Sequence, residues 1–425
     1  MKRIIFNLAL PVLSGMLLLS CSKKSGTNAV TPVDTTTVSS VKYIDTLPDN
    51  RPMVHPGGLQ VAEDFARIKA NLAVDPWLSG WNKLIANSHA QATYTASPTD
   101  TLIRGGSSRE QPKPDNYSHA YNDAAAAYQL GIRWKISGDN TFAQAAINIL
   151  NAWASTCKAL SGDPNIALGA GFYGYQFAIA GEQLRDYNGW KPADFQAYQQ
   201  WMLTVFYSVN HSYLLYHQNS CAEHYWANWD LCNLASVMAI GILTDNRSLY
   251  NEAVYYLQHS INGNGNLLKA INYVFTGADS TLAQIQESGR DQGHATLVIS
   301  MLGVICELAW HQGDDFYGFN NNAVLKATEY TAKYNVAKLD VPFHAYTYFD
   351  CSVTTTLTQI SSDSRGTVRP MWAVLYNHYV KRKGLSAPYT LMGVNTTFPE
   401  GGGGDYGPNS GGFDQLGFGT LLYSR

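Results

Sequence analysis

The stretch Gln286-Glu287-Ser288-Gly289-Arg290-Asp291-Gln292-Gly293-His294 runs directly into an apolar-rich segment, Ala295 to Trp310. A polar knot with two glycines at the head of an apolar run reads as a helix entrance, with Ser288 or Asp291 as cap. It is also a place where chemistry fits. Glycine lets backbone approach a ligand closely, and a helix start offers unpaired N–H groups to an anion. The helix expected over His294 to Gln312 turns at Gly313-Asp314-Asp315 into a second one, Asn321 to Asn335. This is an αα-hairpin pattern.

Working outward, the same unit recurs. Ala120 to Ser137 pairs with Thr141 to Leu160 across Gly138-Asp139, and Phe172 to Tyr187 pairs with Ala193 to Val209. Tyr225 to Leu243 pairs with Ser248 to Ser260, and Arg369 to Lys383 adds a further helix. Two short helices, Gln60 to Leu72 and Trp77 to Ala90, precede them. Successive helix pairs predict an all-α fold, an α/α toroid or open solenoid built of helical hairpins, with long loops and little β. Strand signal is confined to Asp340 to Thr358, and the Gly-rich Pro399 to Gly419 reads as an ordered loop packed on the helices.

Two polar pairs share a spacing of four, His224 with Asn228 and Arg290 with His294. On helices each pair lies on one face. If both faces meet in one cleft they assemble two imidazoles, an amide and a guanidinium. That set suits proton abstraction beside a carboxylate: Asn228 and Arg290 offset the charge that builds on the carbon acid, while a His or Tyr moves the proton. Tyr225, Tyr346 and Tyr348 are the tyrosine candidates. The polar loop around Arg104 and Arg109 has the composition of a substrate-facing segment. The bland alternatives are a capping histidine, and an Arg290 that simply pairs with Glu287 or Asp291.

Lys2 and Arg3 precede an apolar run that ends in Leu18-Leu19-Ser20-Cys21, which reads as a secretory signal. Residues 22–45 are a Ser/Thr-rich tether, and 46–425 a single domain. The net charge of −3, or −5 without Lys2 and Arg3, offers no basic field for nucleic acid. Five cysteines remain after Cys21, so at least one is unpaired within the chain, and none has metal-ligand spacing. With 27 Tyr and 10 Trp the chain is rich in the rings that stack on sugars.

Taken in order, Tyr225-Trp226-Ala227-Asn228-Trp229-Asp230, the Gln286–His294 stretch, Glu329-Tyr330-Thr331-Ala332-Lys333-Tyr334-Asn335 and Pro399 to Gly419 resemble the alginate lyase superfamily of α/α toroids. The likeness is greatest to polysaccharide lyase family 38 and looser to the family 5 alginate lyases. The latter carry Asn-Asn-His-Ser-Tyr-Trp-Ala ahead of a comparable helix. Matching its end to Tyr225-Trp226-Ala227 puts His224 on the Ser position and Glu223 on the His position, so the catalytic His is displaced by one and the Asn pair is absent. Downstream, Arg290 falls on a family Arg and His294 on the catalytic Tyr. Leu-Leu-Ser-Cys likewise resembles a bacterial lipobox, which implies a lipid on Cys21.

The resemblance implies β-elimination on a 1,4-linked polyuronate, mannuronate-rich alginate or glucuronan, leaving 4,5-unsaturated uronate ends, with no cofactor and no metal. The expected catalytic set is His294, His224, Asn228, Arg290 and Tyr225. Substrate contacts are expected from Arg104, Arg109, His119, Trp229, Gln286, Glu287, Gln292 and Tyr346. The expected protein is an exported monomer, held to the outer membrane only through Cys21, facing periplasm or cell surface, with an acidic polysaccharide as partner. Two alternatives remain open at this point: an α/α-toroid glycoside hydrolase using carboxylates such as Glu287 or Asp230, and a non-catalytic glycan-binding lipoprotein.

Overall fold

The structure, a computed structural model, describes residues 51–106, 113–260 and 263–425. The expected signal, the tether and Arg109 lie outside the described residues.

The helical pairs expected from sequence are present. After α1 (Ala62–Asn71) and α2 (Trp77–Ile85) come α3 (Ser118–Ser137) and α4 (Asn140–Thr156), then α5 (Ile166–Gln183) and α6 (Pro192–Trp201). The last runs through a wider π turn into α7 (Ser208–Tyr216). Then follow α8 (Ala227–Leu243), α9 (Arg247–His259), the short α10 (Leu267–Ala270), α11 (Gln292–His311) and α12 (Phe319–Asn335). The chain ends with α13 (Trp372–Tyr376), α14 (Pro388–Thr397), α15 (Ser410–Phe413) and α16 (Gly419–Tyr423). Local chemistry sets the breaks between partners. Gly138 ends α3 at φ +75°, which glycine adopts freely, and the Asp139 side chain caps α4 by accepting from Thr141 N at 2.9 Å. Asn246 caps α9 in the same way, accepting from Leu249 N at 3.2 Å.

Helices α5, α8 and α11 are buried almost all round, whereas α4 and α9 bury one face only. The former are therefore the inner members of the pairs. By length and composition α11 is apolar enough to cross a membrane, but most of it lies in this core. Inner helices run parallel. Gly171 of α5 faces Cys232 of α8 and Gly181 faces Leu243, and a Cβ on Gly171 would stand 2.4 Å from the Cys232 sulfur. Ser236 Oγ donates to Ala170 O across this close contact at 3.2 Å. Tyr121 and Gly131 of α3 face Tyr173 and Gln183 of α5 in the same sense. The result is an incomplete α/α toroid in which the inner helices begin at one end, the mouth, and finish at the other, the floor.

The floor is covered by the strap Arg51–Gln60. Arg51 pairs with Asp314 at 2.9 Å, Val54 N donates to Gln312, and Gly57 N donates to Glu182. The glycine-rich C-terminal segment packs as an ordered loop on the inner helices, as expected. Gln176 donates to Phe413 O at 2.6 Å, and buried Arg369 bonds Asp414 at 3.1 Å and Gly293 O at 3.3 Å. Strand content is small. β1 (Thr101–Ile103) pairs in parallel with β2 (Ala159–Ser161), and β3 (Tyr273–Val274) pairs with β4 (Ala283–Gln284). The antiparallel hairpin of β5 (Tyr346–Phe349) and β6 (Thr354–Leu357) falls within Asp340 to Thr358, where strand signal is found.

Two carboxyls are enclosed within this frame, Asp230 and Glu400. Asp230, in the first turn of α8, accepts from Gly265 N at 2.7 Å and Tyr256 Oη at 3.1 Å, and contacts His217 Nε2 at 3.0 Å. Removing it takes the carboxylate from the buried Gly265 N–H and the buried His217 imidazole. Asp230→Ala is expected to lower unfolding free energy by about 3 kcal/mol, read as a fall in denaturation midpoint. Glu400 is enclosed, accepting from Gly419 N at 2.8 Å, and burial pushes its carboxyl up to about 7. The folded chain therefore holds a proton that the unfolded chain has already lost. That stability is complete below the ordinary carboxyl range and is lost as pH rises through the folded value. Thermal midpoints should fall between about pH 5 and about pH 8, with a shallower fall in Glu400→Gln.

Candidate active site

The mouth is built where the start of α8 meets the turn before α11. Helix α8 begins at Ala227, with Trp226 as its extended N-cap residue. His224 therefore precedes the helix, and the expectation that His224 and Asn228 share a helical face is not met. The tryptophan's extended backbone breaks the spacing. The second pair is corrected in the same way. Asp291 is the cap of α11, its carboxylate accepting from His294 N at 2.8 Å, and Arg290 lies ahead of the helix.

Arg290 and His294 are nonetheless brought together, by Asp291 itself. Its Oδ2 lies 2.6 Å from His294 Nδ1 and 3.6 Å from Arg290 Nε. Half-burial alone would raise the Asp291 carboxyl, but the hydrogen bonds and charge of His294, with Arg290, outweigh it and hold the group below its ordinary value. A carboxylate on Nδ1 places the proton there and leaves Nε2 as the basic nitrogen of a side chain that is 38% exposed. Asp291 thus caps a helix and orients an imidazole at once.

Beneath them lies Glu287, fully buried. It receives Arg290 Nη1 at 3.2 Å and Asn228 N at 3.5 Å. Burial raises its carboxyl, with Arg290 and His294 acting the other way. Gln286 likewise accepts from Ala227 N at 3.0 Å. Gln286 and Glu287 therefore serve the start of α8 from the neighbouring turn. Asn228 is 2% exposed, and its Oδ1 has no hydrogen-bond partner among the described residues. Folding does not occupy this amide oxygen. Asn233, one turn on, is instead bonded to Trp229 O and Asn210.

The remaining candidates divide by place. Arg290 lies 5.1 Å over the Trp226 ring, which stacks at 4.1 Å on Tyr348. Tyr348 donates to His224 O, tying that loop to the same cluster. Tyr225 packs 4.7 Å from Trp229 and against Tyr213, and burial raises its phenol. Arg104 stands at the α3–α5 side of the mouth, bonded to Tyr173 Oη at 2.9 Å and stacked over Tyr117. His119 is turned to Ser97 at 2.7 Å. Gln292 spans Ser288 O, Ser361 O and Asn335. Tyr346 donates to Gln286 O and accepts from Gly289 N at 3.1 Å. The structure thus gives Gln286, Gln292 and Tyr346 bracing contacts within the protein. Trp226 and the Cys221–Cys351 disulfide, which ties the His224 loop to the β5–β6 hairpin, belong to the site without being among the residues expected from the sequence. An odd cysteine count names no pair, and one ring among many gives no positional signal. Cys157, Cys232 and Cys306 are free and buried. Among the described residues no group of three or more His, Cys, Asp or Glu is placed to hold a metal ion.

Residues 82–340 match the family model for alginate lyase. The chain belongs to the alginate lyase family. It is a polysaccharide lyase. No curated protein matches it in sequence. Alginate lyase A1-III from Sphingomonas species A1 superposes with a TM-score of 0.58 at 16% identity, covering 90% of this chain and 100% of that one. A tetrasaccharide complex of an A1-III variant gives the same TM-score and identity over 89% and 99%. An alginate lyase from Bacteroides ovatus gives 0.54 at 13% identity over 87% and 100%. These likenesses show that the fold is shared. The lyase commits the carboxylates that a hydrolase would need: Asp230 is enclosed by His217, Tyr256 and Gly265, and Glu287 lies under Arg290.

The Asp291–His294 arrangement is testable by a substitution that separates its two duties. Asparagine is as good a helix cap as aspartate but carries no charge. Asp291→Asn should leave the thermal midpoint within a few degrees while lowering kcat about 10- to 1,000-fold. His294→Ala should lower it about 100- to 10,000-fold, as measured by initial rates on polysaccharide.

Proposed function

We propose that the lyase cleaves 1,4-linked polyuronate, mannuronate-rich alginate or glucuronan, by β-elimination. The observation that carries this reading is the His294 imidazole, oriented by Asp291 beside the Arg290 guanidinium. The substrate carboxylate rests against the Arg290 guanidinium and accepts from Asn228 Nδ2, donors that offset the charge as C5 ionises. His294 Nε2 takes the C5 proton. The C5–H electron pair forms the C4–C5 double bond, and the C4–O4 bond breaks onto oxygen. In a syn elimination, expected for mannuronate, proton and leaving oxygen share a face, so the imidazole that took the proton returns it to O4. The alginate lyase A1-III variants complexed with tetrasaccharide support an acidic polysaccharide as the substrate. The products are a new reducing-side oligosaccharide with a 4,5-unsaturated uronate end and a shortened partner chain.

The lyase is proposed to be exported and lipid-anchored through Cys21 to the outer membrane as a monomer. The Cys221–Cys351 disulfide supports the exported part of this reading, because such bonds persist in oxidising compartments.

The deciding measurement is ultraviolet absorbance of unsaturated uronate during incubation with mannuronate-rich alginate, guluronate-rich alginate and glucuronan. Absorbance should rise on mannuronate-rich alginate or glucuronan, and Arg290→Ala should reduce the rate about 100-fold or more. New reducing ends without absorbance would overturn β-elimination.

A further inference from the structure

The β5–β6 hairpin touches both halves of the site, and it reaches them by independent contacts. To the loop before α8 it is joined by the Cys221–Cys351 disulfide. In the same region Tyr348 Oη donates to His224 O, and His224 Nδ1 lies 3.4 Å from Asp350 O. The Tyr348 ring also stacks at 4.1 Å and 12° on Trp226, the residue that caps α8 and lies under Arg290. To the turn before α11 the hairpin is joined by Tyr346, which donates to Gln286 O and accepts from Gly289 N. The cross-linked cysteines are 130 residues apart, so the bond unites segments with no local reason to stay together.

The hairpin has little of its own to hold it. It is a two-stranded ribbon, and residues 351–356 at its tip are exposed. Such ribbons are marginal alone. Cys351 sits at φ +76°, a left-handed backbone that a non-glycine residue holds only when its surroundings require it. The toroid core between α5, α8 and α11 does not include the disulfide.

We propose that Cys221–Cys351 is a positioning crosslink for catalysis: it makes the hairpin a clamp that fixes the His224–Trp226 loop against the Gln286–Arg290 turn. Trp226 in turn holds the Arg290 guanidinium in place. Reduction by a dithiol converts the bond to two thiols as the reductant becomes a disulfide. It loosens the two halves of the site and leaves the toroid folded.

The proposal rests on the lyase reading, and its test has one arm that does not. The full chain is compared with Cys221→Ser/Cys351→Ser for kcat, KM and thermal midpoint on the polyuronate that wild type cleaves. The double variant is expected to lose at least about 10-fold in kcat, more than it loses in KM, with its midpoint lowered by only a few degrees. Wild type should lose activity in dithiol well below its midpoint and regain it on reoxidation, while the double variant shows no response. Independently of turnover, hydrogen exchange should quicken in peptides covering 221–226 and 286–290 on reduction, and not in α5 or α8. Wild-type kcat in the double variant, or a loss that only tracks the unfolded fraction, overturns the proposal. Unchanged exchange in both segments overturns it even if no polyuronate is cleaved, whereas absent cleavage with quickened exchange would remove the lyase reading alone.

Discussion

A carboxyl group with no exposed surface, Glu287, sets the geometry of the mouth. Burying an ionised group is costly unless other groups compensate it, and here the compensators are the backbone N–H of Asn228 at the start of α8 and the guanidinium of Arg290. Because the helix start cannot move, Arg290 is held over it. Asp291 then draws His294 to the other side of the same guanidinium. The arrangement is a chain of ion pairs and hydrogen bonds in which each member fixes the next, and exposure grows along it from the enclosed Glu287 to Asp291, Arg290 and His294.

The rest of the fold supports this chain. Parallel inner helices bring the starts of α8 and α11 to one level, so a turn preceding one can serve the other. Small residues on α5 make the packing close enough for Ser236 to bond the backbone of its neighbour. Arg369, lying between the glycine-rich segment and Gly293, fixes the first turn of α11 from the far side. His294 is therefore placed by its cap, by the turn before it and by the chain terminus behind it.

Much of the helical frame is legible in the sequence. Outer helices such as α4 and α9 carry a one-sided apolar stripe after clear N-caps, Asp139 and Asn246, so both starts are found to within one residue, whereas α4 ends at Thr156, short of the expected Leu160. Inner helices are apolar all round, and their length identifies them. The details of the site are less legible. Four-residue spacing implies a shared face only if both residues are helical, and Trp226 and Asp291 place the boundary inside each pair. Gln286, Gln292 and Tyr346 have the residue types of substrate ligands, but their bonds go to backbone and side chains far along the chain. The Cys221–Cys351 link joins distant loops, and no local pattern records such a partner. Which side chains face outward and which brace depends on contacts between segments far apart in the chain, and a local motif does not carry that information.

The strap Arg51–Gln60 bears on how a polymer is handled. With the ends of α5, α8 and α11 covered by it, the toroid is a cup and not a ring. A sugar chain has no passage along the axis and cannot be threaded through. If it binds at the proposed site it lies across the mouth and leaves by the side it entered, so successive cleavages would require the polymer to slide over the rim or to let go. For a polymer bound at the proposed site, the length held at one time would be set by the loops of the rim and not by the depth of the toroid.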